Sequence, residues 1–346
     1  MSANANIQRP QVEERKPRIY IGTRVFDISE KLKAEDLESA VQRGVQRAGA
    51  TLELSGLQPE TFVPFRDSSQ NDLIADDKTL RLYAQDIEML NTAILVVTYL
   101  DGLAKDEGVC FELGFARALG VPILIVNTDF IELGLPNGDV VSLDPLISLA
   151  ATRTVRLQGL TEAPTFRSSL ETAQRSAHDQ VTASVCDILL QTKQRNIRPA
   201  PGAEGRASKF PDSVLSLYFD AGGEVYEWQR RLGDELVARS ANKPNLQVAR
   251  ATRYSALCRS PADDVDAVMA ADIVLTATDG DECPAGTAFV QGLARGLDKT
   301  VWMYDSKATS IVGPGGYVSS RNLMLDHSAD RHFTTWHDVL AAVDEL

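Results

Sequence analysis

Three carboxylates have a spacing that chemistry could use: Asp86, Asp106 and Glu112. In the stretch DEGVCFELGFARALG, residues 106–120, Glu112 lies beside an apolar stripe of Val109, Leu113, Ala116 and Leu119. That stripe has the period of a helix, and Gly120 reads as its stop. A carboxylate near a helix start feels partial positive charge worth about 0.3–1 kcal/mol, which favours the ionised form and suits a nucleophile. A second carboxyl group, differently buried, can stay protonated and act as an acid. The pairing suits cleavage of a glycosidic bond through a covalent sugar–enzyme intermediate. The competing reading is that acids at helix starts serve only as caps.

These residues need a frame. The run AILVVTYL, residues 93–100, reads as a buried parallel strand, and Asp101-Gly102 opens a loop after it. Asp86 then belongs to a helix before that strand, Asp106 to the loop after it, and Glu112 to the next helix. This is the carboxyl end of a strand, where open α/β sheets hold their ligands.

The same signals occur twice. RIYIGTRVF (18–26) is matched by LSLYFDAGG (215–223), and Asp101-Gly102 by Asp279-Gly280. GVCFELGFA (108–116) is matched by GTAFVQGLA (286–294), and VPILIV (121–126) by TVWMY (300–304). Strands alternating with helices predict a doubly wound, flavodoxin-like parallel sheet in each half. The two tandem α/β domains are expected to form an internal pseudo-dimer. Glu112 aligns with Val290 and Asp106 with Pro284, so the second half is expected to lack a working site of its own. The segment between the halves, from Thr192 to Ser208, is polar and broken by Pro and Gly. The domains are therefore read as 18–192 and 214–346, with a linker at 193–213. Residues 1–17 are read as a mobile tail.

Composition excludes several classes. The 346 residues are 44% hydrophobic and carry a formal net charge of -13, which argues against a nucleic-acid backbone or an anionic membrane as partner. No apolar run approaches membrane-spanning length and no signal-peptide core is visible. Cys110, Cys186, Cys258 and Cys283 lack CxxC spacing, which fits reduced thiols in a cytoplasmic protein. His178, His327, His332 and His337 form no metal-ligand pattern near the acids. Gly22 is followed by Thr23-Arg24-Val25, not by a dinucleotide-binding turn, and neither a P-loop nor GxSxG is present. No metal or cofactor is expected.

The chain resembles the nucleoside 2-deoxyribosyltransferases and, more widely, the nucleotide N-glycosidases of that fold. The likeness covers residues 18–146 and, more loosely, 214–346. Tyr20, Gly22 and Phe26 match the strand and glycine turn that open the family's domain. Asp106 and Glu112-Leu113-Gly114 match its Asp, five residues, Glu-Leu-Gly pattern, and Asp86 lies at the expected place, 106 − 86 = 20 residues earlier. The family completes each site with an Asn-Leu-Met segment from a neighbouring subunit. The second half carries Asn322-Leu323-Met324, whereas the first half has Asp144-Pro145-Leu146 at the matching place.

The resemblance implies a pentosyltransferase with one composite site per chain. Glu112 would be the nucleophile, Tyr20 would orient it, and Asp86 would assist the leaving base. Asp106, Asn322, Gly22, Thr23, Phe26 and Met324 would bind substrate. The implied partners are a nucleoside or nucleotide and a free base, and pairing of whole chains into higher oligomers stays open. Two alternatives remain: hydrolysis of a nucleoside 5′-monophosphate, for which Arg24 would bind the phosphate rather than pair with a surface acid, or a nucleotide-sensing module. The segment Thr61–Ser68 has no visible counterpart in the second half and reads either as a wall of the base pocket or as packing on the sheet.

Overall fold

The computed structural model describes residues 17–24, 28–52, 59–67, 78–102, 105–129, 132–134, 140–157, 165–194, 214–222, 227–253, 260–279, 283–306, 311–312, 318–319 and 321–346. Residues 1–16, Phe26 and the expected linker beyond Gln194 lie outside this set.

The first half runs β1 (Arg18–Gly22), α1 (Ile28–Leu52), β2 (Glu60–Phe62), α2 (Pro64–Asp67), α3 (Lys78–Asn91), β3 (Ala93–Tyr99) and α4 (Glu107–Ala118). It continues with β4 (Ile123–Asn127), a small hairpin of β5 (Leu133–Gly134) and β6 (Val140–Val141), α5 (Pro145–Ala150), β7 (Arg153–Arg156) and α6 (Phe166–Gln194). The second half runs β8 (Leu215–Asp220), α7 (Glu227–Ala241), β9 (Leu246–Arg250), α8 (Pro261–Ala270), β10 (Ile273–Ala277) and α9 (Ala285–Gly296). It ends with β11 (Thr300–Tyr304), the hairpin strands β12 (Ile311–Val312) and β13 (Val318–Ser319), α10 (Leu323–Ser328), β14 (Arg331–Phe333) and α11 (Trp336–Asp344).

Each half holds a five-stranded parallel sheet. The orders are β2-β1-β3-β4-β7 and β9-β8-β10-β11-β14, the same flavodoxin-like winding twice. The segment at Thr61–Ser68 is corrected here. Thr61 and Phe62 form edge strand β2, and β9 is its counterpart, paired with β8 as β2 is with β1. Short edge strands carry little hydrophobic pattern, which is why this match was not legible. α6 also runs two residues into the segment expected as linker.

Alternation along β1 assigns its two faces. Ile19 and Ile21 pack outward with Leu37 and Val41 of α1 and Val181 and Val185 of α6. Tyr20 points to the opposite face, into a core shared by both halves that includes Phe111, Phe115, Tyr218, Val274 and Phe289. α4 and α9 cross at the centre of this core. A Cβ on Gly114 would stand 1.9 Å from the Phe289 carbonyl oxygen, and one on Gly292 would stand 1.9 Å from that of Phe111. The two contacts mirror each other, so the helix backbones touch through paired glycines. No helix among the described residues is long and apolar enough to cross a membrane.

Candidate active site

The two strands at the reversal of the first sheet's order, β1 and β3, carry the candidate site at their carboxyl ends. The Tyr20 ring packs against Phe62, with centroids 5.5 Å apart. Its hydroxyl donates to Glu112 Oε1 at 2.8 Å. Glu112 Oε2 is buried with no hydrogen-bond partner among the described residues. Gly22 keeps that edge clear, since a Cβ there would lie 2.9 Å from Oε2.

Glu112 is only 7% exposed, and burial together with the charge of Asp86 pushes its carboxyl well above the usual range. The Tyr20 hydrogen bond acts in the opposite direction. This corrects the expectation that the helix dipole keeps Glu112 ionised. It lies 112 − 107 = 5 residues past the first residue of α4, beyond the turn where the dipole acts, and desolvation wins. Asp86 projects from α3, has a buried Oδ1 without a hydrogen-bond partner among the described residues, and is raised by burial to about 7. Both carboxyls are raised chiefly by burial, and the charge of Asp86 adds to the shift of Glu112.

Asp106 caps α4, accepting from the Val109 N–H at 2.8 Å. The capping reading thus holds for that oxygen. Arg24 is exposed near the same carboxylate, where its charge lowers the Asp106 pKa against a larger effect of burial, and its Nε pairs with Glu30 at 3.1 Å. Thr23 is buried, and its hydroxyl has no hydrogen-bond partner among the described residues.

Asn322 reaches this place from the second half. A Cβ on Gly108, in the first turn of α4, would meet Asn322 Nδ2 at 2.6 Å. Asn322 Oδ1 caps α10 by accepting from the Met324 N–H at 2.9 Å, which leaves the Nδ2 end to donate. The Met324 side chain is buried in the shared core. Of the residues expected from sequence, Tyr20, Gly22, Asp86, Asp106, Glu112 and Asn322 are brought together here. Phe26 lies outside the described residues.

The equivalent place in the second half is filled. Tyr218 is the counterpart of Tyr20, and Asp264 that of Asp86, since it precedes Pro284 by the same 20 residues (284 − 264). Asp220 stands where Gly22 would be and takes a bidentate ion pair from Arg253, at 2.5 and 3.0 Å. Thr287 Oγ1 donates to Asp220 at 2.7 Å. Asp264 accepts the Arg253 backbone N–H at 2.9 Å, and Asp144 lies 3.6 Å from Arg253 Nε. Asp144 sits over Gly286 as Asn322 sits over Gly108. A buried ion cluster of Arg253 and its surrounding carboxylates therefore occupies the space that the first half leaves to its acids, and Val290 replaces the nucleophile candidate. Sequence reasoning missed Asp220, Arg253 and Asp264. The 20-residue spacing could have found Asp264; nothing marks Arg253.

No curated protein matches the chain at a significant level. Among solved structures, a 2-desoxiribosyltransferase from Leishmania mexicana is similar over 38% of this chain and 97% of its own, at 17% identity and a TM-score of 0.31. The S. aureus MnaA–UDP co-structure is similar over 96% of this chain and 87% of its own, at 14% identity and a TM-score of 0.26. The family model described as nucleoside 2-deoxyribosyltransferase matches residues 35–161, a span that includes Asp86, Asp106 and Glu112. Residues 35–161 of the chain thus match the nucleoside 2-deoxyribosyltransferase family model.

Proposed function

We propose that the chain cleaves the N-glycosidic bond of a (deoxy)nucleoside and transfers the sugar to another base. The observation that carries this reading is the Glu112 carboxylate, held on one oxygen by Tyr20 and open on the other, with Asp86 beside it and Asn322 delivered from the second half. In the form with Glu112 ionised and Asp86 protonated, Glu112 Oε2 attacks the anomeric carbon and the bond to the base breaks. Asp86, neutral below about pH 7, gives the departing base its proton. The sugar is then an ester of Glu112. An incoming base attacks the anomeric carbon, the ester bond breaks, and the proton of the new base returns to Asp86. The Tyr20 hydroxyl fixes the attacking carboxylate, while Asp106 and Asn322 hold sugar hydroxyls. Arg253 and Asp220 seal the second half's counterpart, so each chain has one working site. The halves read as a tandem pair in which the second serves as a built-in partner.

The test is incubation with a 2′-deoxynucleoside and a second free base, followed by chromatography. A new nucleoside is the expected product. Free sugar without exchange would replace transfer by hydrolysis, and no turnover of any nucleoside or 5′-monophosphate would reduce the site to binding. A 2-fluorinated deoxynucleoside should leave a sugar on Glu112 in peptide mass mapping, and a label elsewhere would remove Glu112 as nucleophile.

A further inference from the structure

Glu107 is the first residue of α4, where an acid ordinarily only complements the helix dipole. Its side chain does something else. Oε1 accepts the backbone N–H of Asn322 at 2.5 Å, and Oε2 accepts that of Cys283 at 3.3 Å. One carboxylate from the first half thus holds two chain segments of the second: the residue before the Pro284 cap of α9 and the Asn322 cap of α10. The next residue, Gly108, is the one against which the Asn322 amide lies. On the other side of Asn322, Arg321 pairs with Asp305 at 3.5 Å, and both side chains are 3% exposed. Asn322 is therefore gripped from both halves.

The comparison between halves makes this specific. The position matching Glu107 is Ala285, the first residue of α9. Asp144, the counterpart of Asn322, lies over Gly286, whose preceding residue is this alanine and not a carboxylate. Alanine has no carboxylate with which to make the grip, so a contact like that of Glu107 belongs to the side where the candidate nucleophile survives.

We infer that Glu107 is a positioning residue that fixes Asn322 across the interface between the halves so that its amide meets the substrate sugar. The inference rests on the proposed role of Asn322. Its placement part can be tested without activity, by hydrogen exchange at the Asn322 backbone amide. In the wild type this amide should be protected. In Glu107→Ala it should exchange at least about tenfold faster, as expected when a charge-assisted hydrogen bond is lost. Glu107→Gln, which keeps one carbonyl acceptor, should restore part of the protection and guards against a misfolded alanine variant. The kinetic part is a double-mutant cycle in the transfer reaction. Glu107→Ala should lower kcat/KM by about tenfold or more through misplacement of Asn322. In an Asn322→Ala background it should cost almost nothing further. Unchanged exchange at Asn322 in both variants, or kinetic losses that simply multiply, would overturn the inference. A wild type without turnover would instead remove the proposed activity, and the exchange comparison would decide the Glu107 contact by itself.

Discussion

At the scale of single residues, the site combines groups that stability alone would not select. Glu112 and Asp86 are buried carboxyls, each with an oxygen that has no hydrogen-bond partner among the described residues. Both are raised above their unfolded values, Asp86 from 3.8 to about 7. Between those limits the folded chain binds more protons than the unfolded one, so stability falls as pH rises through the window. A neutral amide at position 112 removes that cost while removing the proposed nucleophile. Glu112→Gln should therefore abolish turnover yet melt above the wild type at about pH 8, with the gap closing toward about pH 4, near the unfolded carboxylate values. Thermal scans at the two pH values check this, and a variant that melts lower at the higher pH would refute the buried-charge account. The acids themselves were legible, because Asp86, Asp106 and Glu112 stand at motif spacing. Their ionisation was not, because sequence distance from a helix start says little about desolvation. Glu107 escaped notice for a related reason: a first-turn acid has an ordinary local explanation that hides a contact 322 − 107 = 215 residues away.

At the scale of elements, most of the frame could be read. Apolar runs such as AILVVTY and TVWMY announce buried parallel strands, and both form. The three-residue strand β2 did not stand out, and its partner relation to β9 emerged only through sheet pairing. The glycines of GVCFELGFA and GTAFVQGLA were legible as part of a repeat, but the close crossing of α4 and α9 through them was not. The atom that an added methyl on Gly114 would strike is a backbone oxygen, at 1.9 Å, so no side-chain rotation can relieve it. The helices would have to part. Gly114→Ala should destabilise by at least the 1–3 kcal/mol or so typical of overpacking, and should lower kcat/KM as Asn322 withdraws with the second half. Gly49→Ala is the control. It lies inside α1 with nothing within 4 Å of its added Cβ, and should be neutral or stabilising by about 0.5–1 kcal/mol. Equal melting temperatures for the two variants would show that the glycine contact is not tight in solution.

At the scale of the whole molecule, two halves with the same strand order differ at the equivalent place. The first keeps open acids. The second fills the same space with Arg253 and three surrounding carboxylates, Asp144, Asp220 and Asp264. Sequence reasoning placed Asn322 and Asp144 as counterparts. The structure separates two kinds of effect. Asp144 caps α5, accepting from the Leu146 N–H at 2.8 Å, and helps balance a fully buried guanidinium. Asp144→Ala should therefore lower the melting temperature clearly, since a lost cap costs about 1 kcal/mol and an altered buried ion cluster can add more. Its kcat/KM per folded molecule should stay near wild type. Asn322→Ala also loses a cap, so a fall of similar origin in melting temperature is expected. It alone should lose kcat/KM, by up to about a hundredfold where tight positioning amplifies one missing contact. Measuring both variants well below their melting temperatures separates folding from catalysis. Equal kinetic losses, or an Asn322 loss that vanishes once folded fraction is corrected, would refute a site shared between the halves and leave the second half as scaffold.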